Sequence, residues 1–273
     1  MIEQPGMFDL NGRVAIVTGA AGLLGSEFCL TLAKAGASVV VADIDYEGSR
    51  RITQSLDEQG YQAKSVAVDV TEESAVNRMV ETTLTEYKRL DILVNSAALD
   101  PKFDPDHEEQ HTNAFEDFPR SVWDQALAVN LTGMFLCCQQ AVRPMLSQGS
   151  GVIINISSMY GIVGPDQRLY QREGEPPRYK PVYYSVSKAG VLGLTRYLAT
   201  YYAGKNIRVN ALTGGGVFNN HDESFLKSFS ARAVLGRMAR KDELNGALLF
   251  LASDASSYMT GANLVVDGGW MAW

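Results

Sequence analysis

Tyr184 and Lys188, in the run YYSVSKAGVLGLTRYLATYYAG, are the residues whose types and spacing best fit chemistry. Four apart in an amphipathic helical pattern, they lie on one helix face about a turn from each other. An ammonium beside a phenol favours phenolate and draws a Tyr pKa of about 10 toward working pH, so the pair can exchange a proton near neutrality. Ser158 ends the apolar run GVIINISS, Gly151 to Ser158, where its hydroxyl can hold a reacting oxygen. Asn130 interrupts the apolar face of a long helical pattern from Ser121 to Leu146. A buried Asn needs partners, so it is either a structural hydrogen-bonding residue or part of a site. Tyr and Lys at this spacing also occur in many ordinary helices, and the pair gains meaning only from its surroundings.

Those surroundings begin with Val14 to Asp43, reading VAIVTGAAGLLGSEFCLTLAKAGASVVVAD. An apolar run enters a glycine-rich turn, Leu24 to Lys34 continues as a helix, and a second apolar run ends on an acid, which describes a βαβ unit. Gly19 permits the sharp turn, Gly22 permits backbone approach to a pyrophosphate, and Gly25 permits close packing of the helix start on the sheet. The helix N-terminus attracts the phosphates, and Asp43 stands where an acid accepts the adenosine ribose hydroxyls. A 2′-phosphate beside Asp43 would be repelled, and no Arg or Lys lies in the turn or immediately after the acid. NAD is therefore expected over NADP, with Arg50 and Arg51 read as a solvated helix face.

Strand and helix signals alternate along the chain without a repeat or linker. The expectation is a single-domain α/β protein over 1–273 with a Rossmann-type, doubly wound parallel sheet in three α/β/α layers. A helix from Glu47 to Gln59 precedes the strand AKSVAVDV ending near Asp69, and Glu72 to Tyr87 reads as a helix with Thr71 as its N-cap. DILVNSAA, Asp91 to Ala98, is a core strand running into small residues that admit a flat ligand, and NLVVD closes the sheet. The 31 acids against 24 bases give a net charge of −7, which excludes a broad electropositive surface for nucleic acid. No stretch has the apolar length of a membrane span, and the opening MIEQPGMFDLNGR is too polar for a signal peptide, so a cytoplasmic location is expected. Cys29, Cys137 and Cys138 read as reduced core residues. His107 and His111, with Glu108 and Glu109 between them, sit among prolines in a polar stretch from Asp100 to Pro119, which reads as a solvated loop and no metal site.

Together the motifs TGAAGLLG, Asp43, DV at Asp69, NSAA at Asn95, Asn130, NISS at Ser158, YSVSK, IRVNAL at Asn210 and TGANLVVDGG resemble the short-chain dehydrogenase/reductase family from about Leu10 onward. The resemblance implies a catalytic tetrad of Asn130, Ser158, Tyr184 and Lys188: the tyrosine passes the proton, the lysine also holds the nicotinamide ribose, the serine orients the carbonyl and the asparagine supports a proton relay. It implies a cofactor set of Gly19, Gly22, Leu24, Gly25, Asp43, Asp69, Val70, Asn95, Ala97, Tyr184, Lys188, Gly214 and Val217, and a homodimer or homotetramer. Asp69 and Val70 would border the adenine and Asn95 would lie along the cofactor.

The chain departs from the family pattern at several points. TGAAGLLG has the TGxxGxxG spacing of relatives acting on nucleotide sugars, NSAA replaces NNAG, and Gly214 replaces a common proline. The gap from Ser158 to Tyr184 is about twice the family's. Its extra residues, Pro165 to Val182, carry Arg168, Arg172, Arg178 and Lys180, and read as a substrate wall or lid or else as a subunit-contacting loop. With the segment near 100–119 they form two loop insertions. The insert and YYAGKNIRVNALTGGGVFNN are similar to oxidoreductases of bacterial surface-sugar and flagellin-glycosylation pathways. Trp270 and Trp273 read as an exposed tail suited to an interface. The expected activity is NAD(H)-dependent interconversion of a secondary alcohol and a ketone on a small polar, sugar-like substrate. The alternatives are a nucleotide-sugar dehydratase or epimerase with tightly bound NAD, and a non-catalytic NAD sensor.

Overall fold

Parallel strands covered on both faces must be apolar on both, and VAIVT in β1 (Val14–Thr18) is buried at every position. The computed structural model describes residues 6–100 and 113–273. In it β1 is the third strand of a seven-stranded parallel sheet with β2 (Ser38–Asp43), β3 (Ala63–Ala67), β4 (Ile92–Asn95), β5 (Gly151–Ser158), β6 (Ile207–Gly214) and β7 (Asn263–Val266), in the order β3-β2-β1-β4-β5-β6-β7. Register pairs Val17 with Val41 on one side and with Val94 on the other. The direction of winding reverses between β1 and β4, so loops leaving their carboxyl ends diverge and open a crevice.

Side chains alternate across the sheet and build two cores. Ile16, Val40, Leu93 and Ile153 face one side, packing with Met79 of α3 (Glu73–Tyr87), Met145 of α5 (Met134–Gln148) and Val191 of α6 (Val182–Tyr201). Val17, Val41, Val94 and Ile154 face the other, packing with Phe28 and Leu32 of α1 (Leu23–Lys34) and Leu248 of α8 (Asn245–Ala252). The remaining helices are α2 (Tyr46–Glu58), α4 (Arg120–Leu127) and α7 (Glu223–Ser230). The doubly wound architecture is as expected, and Cys29, Cys137 and Cys138 are buried free thiols.

Several local expectations are corrected. Thr71 does not cap α3, because its hydroxyl donates to Asp69 Oδ1 at 2.7 Å; Glu72 takes the cap position without a side-chain bond. The helix expected as one piece from Ser121 is interrupted by a π-helical turn over Ala128–Gly133 that carries Asn130. Trp270 is buried in a third cluster with Tyr160, Tyr170, Phe225 and Phe229, beyond the strand ends; Trp273 alone is exposed, its indole donating to Arg232 O at 3.0 Å. Helices α7 and α8 had no counterpart in the sequence reading. His107, Glu108, Glu109 and His111 lie outside the described residues, among which no cluster of metal-ligating side chains occurs. No described helix is long and apolar enough to cross a membrane.

Candidate active site

A cleft of about 2000 Å³ lies over the carboxyl ends of β1, β2, β4, β5 and β6. Typical small-ligand pockets hold about 300–1,000 Å³, so this one has room for a dinucleotide and a second small molecule together. Gly19, at φ +66°, makes the turn after β1, and a Cβ there would lie 2.6 Å from Ala97 Cα. Gly22 caps α1 with no side-chain bond and no acid in the first turn, which leaves the leading amides open to an anion. At Gly25 a Cβ would stand 2.1 Å from the Gly19 carbonyl oxygen. That contact is backbone, so no rotamer relieves it. Gly25→Ala is therefore expected to lower the melting temperature by several degrees and weaken NADH binding at least about tenfold, read by thermal scanning and by NADH fluorescence; unchanged values would show that the turn opens freely.

The acid at the end of β2 is tied to that turn. Asp43 Oδ2 accepts the Ala21 N–H at 2.8 Å and Oδ1 accepts the Asp45 N–H at 2.9 Å, and each oxygen keeps a lone pair for a further donor. The basic residues just beyond it are solvent-exposed and pair with Glu47 at 3.4 Å (Arg50) and with Asp45 at 3.7 Å (Arg51). Leu24, Asp69, Val70, Ala97, Gly214 and Val217 line the same cleft. Asn95 does not. Strand parity turns it into the core, where its Nδ2 donates to Asn155 Oδ1 at 2.8 Å and to Cys138 Sγ at 3.2 Å, so the expectation that it lies along the cofactor is corrected.

Across the cleft, β5 ends in Ser158 and α6 delivers Tyr184 and Lys188, all three lining it. Ser157 Oγ donates to Lys188 O at 2.9 Å, pinning the helix to the strand. The Lys188 ammonium is buried and donates to Ile156 O at 3.1 Å, standing 5.8 Å from the Tyr184 ring centre. Burial, with Lys180 nearby and Asp100 opposing, pushes its pKa down to about 8. Tyr184 is held well above the ordinary phenol range, by burial first and by the Asp100 charge second, while a hydrogen bond with Ser158 pulls the other way. The pull toward phenolate expected from the Tyr–Lys spacing is opposed here: the Lys188 ammonium faces a backbone carbonyl, and burial favours the neutral phenol of Tyr184.

Asn130 is fully buried and sits behind the cleft wall instead of lining it. Its Oδ1 accepts the Leu99 N–H at 2.7 Å, and its Nδ2 donates to Leu99 O at 3.1 Å and to Ser187 Oγ at 3.3 Å. It therefore ties the segment leaving β4 to α6, three residues from Tyr184. Asn130→Ala removes bonds that nothing replaces and is expected to cost about 2–4 kcal/mol in stability, read by denaturant unfolding; a loss below about 1 kcal/mol would remove this structural role.

The segment between β5 and α6 lines the cleft. A 3₁₀ turn at Gln167–Tyr170 buries Tyr170, whose hydroxyl donates to that of Tyr160 at 3.1 Å. Asp166 takes Arg168 and Arg232 together, with its carboxyl held down at about 2, chiefly by the hydrogen bond from Arg168. Arg172 reaches Asp222 at the start of α7 at 2.5 Å. Lys180, expected only as one of four basic residues of the insert, has its Nζ 4.0 Å from the Tyr184 ring centre. The signal was present in KPVYYSVSK, where Lys180, Tyr184 and Lys188 follow one another at intervals of four.

The comparisons agree with this geometry. A family model described as enoyl-(acyl carrier protein) reductase matches residues 19–271. The chain is 36% identical over 264 residues to cis-4-hydroxycyclohexanecarboxylate dehydrogenase of Sinomonas cyclohexanicum, covering 95% of this chain and 97% of that one. It superposes on a gluconate 5-dehydrogenase from Burkholderia cenocepacia in complex with NADP and tartrate with a TM-score of 0.84 at 29% identity, covering 98% of each chain. It superposes on an NAD+-bound xylitol dehydrogenase with a TM-score of 0.83 at 28% identity, covering 95% of this chain and 99% of that one. With the family model spanning residues 19–271 and a relative 36% identical over 95% of this chain, the protein belongs to the short-chain dehydrogenase/reductase family.

Proposed function

We propose that the protein interconverts a secondary alcohol and a ketone on a small polar, sugar-like molecule, using NAD(H). The observation that carries the reading is that Tyr184, Ser158 and Lys188 face the same cleft as the glycine turn and Asp43. A nicotinamide bound there supplies the hydride donor or acceptor. Ser158 holds the substrate oxygen by hydrogen bond, and Tyr184 gives its proton to that oxygen in reduction and takes it back in oxidation. Lys188 stabilises the phenolate that remains, and Asn130 keeps α6 in place. The proton donor of the resting protein is the neutral phenol, which suits reduction directly. Oxidation needs the proton gone first, so its rate is expected to rise with pH more steeply than that of reduction.

The preference for NAD follows from Asp43, whose carboxylate would repel a 2′-phosphate. Relatives are found with either cofactor, as the NADP and NAD+ complexes named above illustrate. The test is initial rates followed by absorbance of the reduced nicotinamide on polyols, cyclic alcohols, sugars and hydroxy acids, each with NAD+ and NADP+. Turnover favouring NAD+ at least about tenfold is expected; an equal preference for NADP+ would overturn the cofactor assignment. The chain is further proposed to assemble as a homodimer or homotetramer, read by light scattering in solution.

A further inference from the structure

Beside Tyr184 the cleft holds a cation that hydride transfer does not require. The Lys180 side chain is only 10% exposed, and its Nζ contacts Asp100 Oδ1 at 2.5 Å. The wall segment fixes it from both sides of its peptide: the Lys180 N–H donates to Gln167 Oε1 at 2.9 Å, and Gln167 Nε2 donates to Lys180 O at 3.5 Å. Asp100, leaving β4 on the opposite side, is 56% exposed. The two partners are therefore unequal. A nearly buried ammonium requires an anion, because leaving it bare carries the full desolvation cost. A mostly exposed carboxylate gains little from the pair and returns to water readily.

We infer that Lys180 is the recognition point for a carboxylate on the substrate, and that Asp100 fills this position in the free protein and is displaced when substrate arrives. The substrate class is then a small hydroxy acid and the matching keto acid, with a few bonds between carboxylate and carbinol carbon, because the ammonium stands directly over the ring of Tyr184. This rests on the reading of Tyr184 as the group that exchanges the substrate proton. The exchange replaces one carboxylate by another, so the charge around Tyr184 and Lys188 is the same before and after binding. A neutral alcohol would leave Asp100 in place across the cleft.

The rest of the wall fits such a molecule. Arg172 is held by Asp222 and by the carbonyls of Leu169 and Gln171, which fixes its guanidinium away from this exchange. Tyr160, Tyr170 and Phe225, packed in one apolar cluster, also line the cleft. His221 stacks on Phe225 at 4.9 Å, and its Nδ1 accepts the Asn219 N–H at 3.1 Å. The neutral imidazole then carries its proton on Nε2, a second donor for a hydroxyl or carboxylate oxygen.

The test uses 2-hydroxyisobutyrate, a tertiary hydroxy acid that cannot be oxidised to a ketone, against its neutral isostere 2-hydroxyisobutyramide. Each is titrated calorimetrically into the cofactor-free protein and into its NADH complex. The acid is expected to bind at least about tenfold tighter than the amide, with Lys180→Gln erasing the difference and Lys180→Arg retaining part of it. Asp100→Asn is the decisive variant: it removes the competing carboxylate and is expected to tighten the acid several-fold while leaving the amide unchanged. A merely structural Lys180–Asp100 pair predicts the reverse, with both variants weakening every ligand. Equal affinity for acid and amide, no binding of either, or a weaker acid complex in Asp100→Asn overturns the inference. Turnover of neutral secondary alcohols with NAD+ alongside any of these results would leave the proposed activity standing. A clear acid preference in a protein that oxidises nothing offered would separate the two the other way.

Discussion

Replacing Tyr184 by Phe is expected to reduce turnover by at least about a thousandfold while changing the NADH dissociation constant by less than about threefold. The substitution removes one oxygen from a ring whose packing stays in place, so the fold and the nucleotide half of the cleft are untouched. The effect is large because the phenol hydrogen-bonds with Ser158 and its ring lies 4.0 Å from Lys180 Nζ and 5.8 Å from Lys188 Nζ. Steady-state rates in both directions, with NADH fluorescence titration as the binding control, give the answer. Retained turnover would transfer the proton-exchanging role to another group, and lost NADH binding would show that the Tyr184 hydroxyl supports the cofactor site itself.

Lys188→Met is expected to give a protein that is inactive and yet no less stable. Burial lowers the Lys188 pKa from 10.5 to about 8, and at 1.36 kcal/mol per unit the folded state is penalised by roughly 3 kcal/mol near neutral pH. Methionine matches the length of the side chain without the charge. Part of the gain is offset by the hydrogen bond lost at Ile156 O, leaving a net stabilisation of about 1–2 kcal/mol. The sign with pH is definite. Between about pH 8 and 10.5 the unfolded chain holds a proton on Lys188 that the folded chain has released, so wild-type stability rises with pH across that window. The advantage of the variant should therefore be full below pH 8 and fade above it. Denaturant unfolding at several pH values reads both the size and the window. A variant less stable than wild type at pH 7, or a difference independent of pH, would mean that the buried ammonium is better solvated than its surroundings indicate.

Much of the architecture could be read from the chain because its causes are local. Continuous apolar runs in VAIVT, SVVVAD and GVIINISS set the strands, and the turn glycines are demanded by contacts as short as 2.1 Å. Tyr184 and Lys188 were legible for the same reason, since helix periodicity alone puts them on one face. What escaped was decided by distant packing. Trp270 looked like an exposed tail in sequence, but Tyr160 from the β5 exit and Phe229 from α7 close around it. Asn95 was readable in principle: it lies two residues beyond Leu93, on the same face of β4, and that face is turned to the core. The charge state of Tyr184 was not readable, because it depends on burial and on Asp100, which approaches from another strand end.

The π-helical turn at Ala128–Gly133 bears on the length of the chain itself. Such a turn is an α-helix carrying one surplus residue. Deleting a residue there would let α4 run directly into α5 with regular hydrogen bonding, and by the folding criterion alone the shortened chain would be the better helix. It would also swing Asn130 by about 100°, away from Leu99 and Ser187, since each helical residue turns by that amount. The surplus residue is thus kept against the grain of the helix. Here a single-codon deletion, harmless in most surface helices, would regularise the backbone and disconnect the β4 exit from the helix that carries Tyr184.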